Sequence, residues 1–170
     1  MRILFVPGIK TWQWYLSGWK KDLLRNFPNA EIVFLNKPIY LHTQKKKCDQ
    51  IVENGVKILN DRKPTIVLSH SYGGLLAKTM IGRAKNAKVT KLVTMASPHT
   101  MNSFGVDSTR KFLKTPEFVE VLTQTIGGFL DPVVPYKYTQ TKNSKHQNIW
   151  CEHMGFLLAP WIRKKIIELI

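Results

Sequence analysis

The chain predicts an α/β fold: one three-layer α/β/α domain spanning residues 1–170, with about six mainly parallel strands and helices on both faces. Three observations carry this. Short β-rich runs alternate with stretches of helical apolar spacing along the whole chain. Most strand runs are continuously apolar, as in a parallel sheet covered on both sides. One of them, Thr-Ile-Val-Leu at 65–68, breaks through Ser-His-Ser-Tyr-Gly-Gly into a helix-forming stretch.

In order, residues 2–6 (RILFV) form a first strand that stops at Pro7-Gly8. Residues 10–27 carry Trp12, Leu16, Trp19, Leu23 and Leu24 at helical spacing, with core the default place for the tryptophans. Residues 31–35 (EIVFL) are a strand, and 43–60 a basic helix with Cys48, Ile51, Val52, Ile58 and Leu59 on one stripe. Then come a strand at 65–68, a helix at 72–87, a strand at 91–96 and a short helix at 108–113. Polar strands are expected at 119–126 and 147–151, and a last helix at 160–170 with proline in its first turn. Crossovers should be right-handed.

Composition limits the function classes. With 44% hydrophobic and 22% charged residues, the chain reads as an ordinary globule. No run approaches the ~18 apolar residues of a membrane span, and the opening MRILFVPG lacks a leader's cleavage site. A cytoplasmic protein is expected. Cys48 and Cys151 match no metal spacing and read as reduced thiols. No metal or other cofactor is expected, because there is neither an H-E-x-x-H nor a phosphate-binding G-x-x-x-x-G-K-[ST]. Lys+Arg 26 against Asp+Glu 11 gives +15, which makes an anionic membrane surface a candidate partner. No zinc-finger spacing or aromatic RNA-binding signature is present, so nucleic acid is disfavoured. A monomer is favoured.

In an open parallel sheet, ligands bind at the carboxyl ends of the strands. Ser71 sits there, in a tight strand-to-helix turn, with small residues two before (Ser69) and two after (Gly73). Such a turn lifts the serine above the sheet at a helix N-terminus, where backbone N–H groups favour a developing oxyanion. It is the nucleophile elbow G-x-S-x-G with serine for the first glycine. A serine hydroxyl needs a base, and the base an acid. Asp131 follows the penultimate strand and His153 the last, so both reach the same edge. Asp107, His99 and His146 are rivals, and Ser97 lacks a small residue two positions on. Glu152 adjoins His153 but points elsewhere if the strand persists, and His70 reads as a packed or orienting residue.

Phe5-Val6-Pro7-Gly8-Ile9, Ser69 to Gly74, Thr94-Met95-Ala96-Ser97-Pro98-His99, Asp131 to Pro135 and His153 stand in one order at strand ends. Together they resemble the α/β-hydrolase family, and its compact lidless bacterial lipases and esterases most. The Val-Pro-Gly loop is similar to that of the small retinoblastoma-binding esterase-like serine hydrolases. The resemblance implies Ser71 as nucleophile, His153 as base, Asp131 as acid, and the backbone N–H groups of Ile9 and Tyr72 as the oxyanion hole. His99, Tyr136 and Phe156 are expected to line the substrate site. The implied activity is cleavage of a carboxylic ester, small or lipid, through an acyl-enzyme. Thioester or amide hydrolysis, a non-catalytic binding protein on this fold, and a basic anionic-surface protein remain alternatives. About 20 residues follow the Ser97-Pro98-His99 loop before the next strand, too few for a large lid.

Overall fold

A computed structural model describes residues 1–9, 11, 13–35, 44–102, 104–117 and 119–170. Six strands form one sheet, every neighbouring pair parallel, in the order β2-β1-β3-β4-β5-β6. They are β1 (Arg2–Val6), β2 (Glu31–Phe34), β3 (Thr65–His70), β4 (Val89–Met95), β5 (Thr123–Gly128) and β6 (Ser144–Ile149). The helices are α1 (Ser17–Asn26), α2 (Gln44–Leu59), α3 (Gly73–Arg83), α4 (Phe104–Leu113), α5 (Gly155–Leu158) and α6 (Pro160–Ile167).

The strand pleat sorts β1 between two cores. Ile3 and Phe5 pack with Trp19 and Leu23 of α1 and with Phe156, Ile162 and Ile166. Leu4 and Val6 pack on the other face with Val52 and Leu59 of α2 and Leu75 and Met80 of α3. This is the three-layer arrangement expected from the continuous apolar strands. The chain leaves β1 for β2 on one side and returns to β3 on the other, so a crevice opens between the carboxyl ends of β1 and β3.

Several boundaries differ from the expectation. The 10–27 helix is a 3-10 turn at Gln13–Leu16 followed by α1, and Lys10 and Trp12 lie outside the described residues. Trp19 is in the core, but Trp14 and Leu24 are 62% and 45% exposed, so helical spacing overstated that stripe. The start of the 43–60 helix, Thr43, also lies outside the described residues. β5 begins later than expected and runs through Gly127 and Gly128, and β6 begins earlier, at Ser144. Both are polar strands set by pairing, from Thr123↔Ser144 to Gly128↔Ile149, and not by an apolar pattern. The one-turn α5 was not expected at all. No described helix is long and apolar enough to cross a membrane.

At the amino edge, Arg2 ties the sheet together. Its buried guanidinium donates to Glu31 of β2 at 3.1 Å, to the Ile58 carbonyl at 2.7 Å, and to Asp61. The guanidinium holds the Asp61 carboxyl below its usual range, and the Lys63 ammonium, with Arg2 behind it, does the same for Glu31.

Candidate active site

β3 ends at His70, and Ser71 takes φ 55°, a left-handed conformation that a non-glycine residue adopts at a cost of ~1–2 kcal/mol. The turn is held by the Ser71 N–H donating to the Met95 carbonyl at 2.8 Å and the Gly74 N–H donating to the Ser71 carbonyl at 3.0 Å. Gly73 is needed here for a close approach. A β-carbon on it would lie 2.1 Å from the Val6 carbonyl oxygen and 2.8 Å from that of Pro7. The β1 loop thus presses on the first turn of α3. Gly8 does the same against the serine itself, because a β-carbon there would fall 2.8 Å from the Ser71 Cβ. The backbone of Gly8, one residue before Ile9, therefore passes close to the hydroxyl, and Tyr72, directly after Ser71, is the N-cap of α3.

Three side chains from three loops meet at this point. Ser71 Oγ–H donates to His153 Nε2 at 3.0 Å, and His153 Nδ1–H donates to Asp131 Oδ2 at 2.7 Å. The second carboxylate oxygen accepts the N–H groups of Val133 and Val134, both at 2.8 Å. Asp131 and His153 are buried, 5% and 8% exposed. Gly128 lets the two loops close: a β-carbon there would sit 2.4 Å from the Cys151 carbonyl and 3.3 Å from the Asp131 Cβ. The arrangement can carry a proton from the serine hydroxyl to the imidazole while a buried carboxylate fixes the ring tautomer.

His70 adds a support that motif reading only outlined. Its Nε2–H donates to the His153 backbone carbonyl at 3.0 Å, and its ring lies 4.7 Å from the His153 ring. Burial and the neighbouring His153 push its pKa down to about 3, so it stays neutral while bonded to the His153 backbone.

The remaining expected site residues fall in different places. Tyr136 is 42% exposed and packs edge-on against Phe129, 5.1 Å between centroids, in the loop that carries Asp131. Phe156 is a correction to the expected substrate lining: it is fully buried in the core, beneath His70, and its carbonyl accepts the Trp19 indole N–H at 3.0 Å. His99 is buried and bonded to Thr94 Oγ1 at 2.9 Å. It borders a polar cavity of about 400 Å³ with Leu75, Lys78, Arg110 and Thr141. Ser71 does not border that cavity. Burial, with Lys78 and Arg110 nearby, pushes the His99 pKa down to about 3. Among the rivals, Asp107 pairs with Arg110, Glu152 accepts the Met154 N–H at 2.8 Å, and Ser97 is buried against Gly74. His146 bonds Thr125 Oγ1 at 2.7 Å. Among the described residues, no three His, Cys, Asp or Glu side chains stand together as a metal site.

Comparison with known proteins agrees with this architecture. Residues 29–154 match the model of the PGAP1-like alpha/beta domain. A GPI inositol-deacylase from Chaetomium globosum is 26% identical over 146 residues, covering 66% of this chain. The chain spans only 13% of that relative's length. The ydeN gene product of B. subtilis superposes with a TM-score of 0.70 at 12% identity, covering 98% of this chain and 97% of its own. The RedJ thioesterase of Streptomyces coelicolor gives 0.67 at 13%, covering 99% and 88%. A monoacylglycerol lipase from Paleococcus ferrophilus gives 0.63 at 12%, covering 99% and 93%. At these identities the structural likeness is one of fold. With its sheet order, its elbow and a family match over most of its length, this chain belongs to the PGAP1-like alpha/beta domain family, on the α/β-hydrolase fold.

Proposed function

We propose that this protein is a serine hydrolase that cleaves a carboxylic ester. The observation that carries the reading is the continuous relay from Ser71 through His153 to Asp131, at 3.0 and 2.7 Å, on an elbow serine held at positive φ. Ser71 Oγ attacks the ester carbonyl as its proton passes to His153 Nε2. Asp131, already holding Nδ1–H, stabilises the imidazolium that forms. The backbone N–H groups of Ile9 and Tyr72 receive the oxyanion, each such donor contributing roughly 10²–10³ in rate. His153 then returns the proton to the departing alkoxide, leaving an acyl group on Ser71. Water activated by the same imidazole releases the acid and restores the serine.

The relative named as a deacylase and the neighbours named as lipase and thioesterase support acyl transfer as the reaction class. The test is covalent. A fluorophosphonate should label Ser71 of the native protein, as read by peptide mass spectrometry, and should label neither Ser71→Ala nor His153→Ala. A folded wild-type protein that takes no adduct, or an adduct that survives in Ser71→Ala, would sink the reading. Ester, thioester and amide substrates sharing one acyl chain then rank the bond cleaved.

A further inference from the structure

The exposed apolar surface is unevenly distributed. The loop that carries Asp131 and the residue after β6 expose Phe129, Leu130, Val133, Tyr136 and Trp150, the last 70% exposed. These are one packed ledge, because Phe129 lies 5.1 Å from both the Tyr136 and the Trp150 ring centroids. The ledge is continuous with the candidate triad: Asp131 is flanked by Leu130 and, after Pro132, by Val133, and it is bonded to His153. The other exposed tryptophans among the described residues are Trp14 and Trp161. Trp14 is in the turn that follows β1. Trp161 opens α6, whose far end is pinned at the amino edge by Lys91 of β4 donating to the Leu169 carbonyl.

Charge accompanies the ledge. Beside the ledge Lys137 is exposed, and Lys45 and Lys46 are exposed in the first turn of α2, which starts at the same carboxyl edge, while Asp131 is buried and Glu152, two residues after Trp150, is exposed. Exposed tryptophan and tyrosine with a lysine surround is the composition of a surface that sits at a membrane–water boundary. We infer that this edge docks on an anionic lipid bilayer, the ledge entering the headgroup layer and the lysines facing acidic headgroups. That orientation turns Ser71 toward the bilayer. Its use to deliver a lipid ester rests on the hydrolase reading, whereas the docking itself does not.

The probe is flotation with vesicles of phosphatidylcholine alone and of equal parts phosphatidylcholine and phosphatidylserine. The wild type should float with the anionic vesicles, less so as salt is raised. Phe129→Ser combined with Trp150→Ser should weaken that partitioning at least about tenfold. Lys137→Glu combined with Lys45→Glu should weaken it on the anionic vesicles only. Fluorophosphonate labelling without vesicles should be unchanged in both double variants, which also shows that they fold. The proposal is overturned if the wild type stays with neither vesicle, or if the aromatic double variant floats as the wild type does. It is equally overturned if the ledge instead drives self-association seen by sedimentation without lipid. Flotation that persists while Ser71 takes no label would keep the docking surface and remove the hydrolase.

Discussion

The two ends of the sheet differ in kind. At the amino edge, one buried guanidinium collects carboxylates and a carbonyl from β2 and from the end of α2. The turn that supplies Asp61 takes one left-handed residue, Arg62 at φ 63°. At the carboxyl edge, Ser71 and Ala96 hold positive φ, two histidines are buried neutral, and large apolar side chains face outward. The lesson is a division of labour. One end closes the fold with satisfied ion pairs, and the other carries buried neutral imidazoles and exposed apolar surface that folding alone does not require.

Three experiments sharpen that contrast. The largest effect is expected at the carboxyl edge. Asp131→Asn presents an amide where Oδ2 accepts the His153 Nδ1–H, so the ring favours the tautomer unable to take the serine proton. Ester turnover should fall about 10⁴-fold with little change in melting temperature. An Asp131→Asn enzyme within tenfold of wild type would reassign the acid.

The amino edge should answer in the opposite way. Arg2→Ala leaves Glu31 paired with Lys63 and takes the guanidinium from Asp61, but both carboxylates are nearly half exposed and can be rehydrated. The expected loss is about 1–3 kcal/mol of stability in a urea titration, below the cost of breaking a fully buried pair. Turnover per folded molecule should not change. A loss of turnover beyond the loss of folded protein would mean that the two ends are coupled.

The smallest effect is graded with pH. His70 and His99 are held to about 3, against 6.5 for an unperturbed imidazole. Between those values the unfolded chain binds protons that the native state does not, so their contribution is full above pH 6.5 and declines as pH falls. The Glu31 and Asp61 carboxyls are lowered from 4.5 and 3.8, so the amino edge loses stability only below that range. Stability should therefore fall in two windows, the upper at up to about 1.4 kcal/mol per pH unit for each histidine. His99→Gln should about halve the slope of the upper window and leave the lower one unchanged. A melting temperature constant from pH 6.5 to 5 would contradict the burial of both imidazoles.

Much of this molecule is legible in its residues. The strands at 2–6, 31–35 and 65–68 are read nearly correctly because their apolar runs are long for their length and bounded by proline, glycine or charge. The elbow is legible because a serine forced to positive φ needs small neighbours at fixed offsets, a purely local constraint. The polar strands β5 and β6 are read out of register, because their partners and not their pattern decide where they begin. Trp14 and Phe156 are read the wrong way round for the same reason: spacing tells which side chains share a face but not what covers that face.

By itself the sequence determined the α/β alternation, the parallel sheet, and the turn that presents Ser71, since each depends on residues within a few positions of one another. The order of strand ends also brought Asp131 and His153 to that edge, but the tertiary structure alone decided that they bond one another and Ser71, and that His70 holds the His153 backbone. It also decided that the β1 loop crosses Gly73 with no room for a methyl group, and that Phe129, Tyr136 and Trp150 pack into one ledge on the Asp131 side. Such contacts join segments as far as 83 positions apart, and the free energy that selects them comes from burying two cores at once, which no local pattern records.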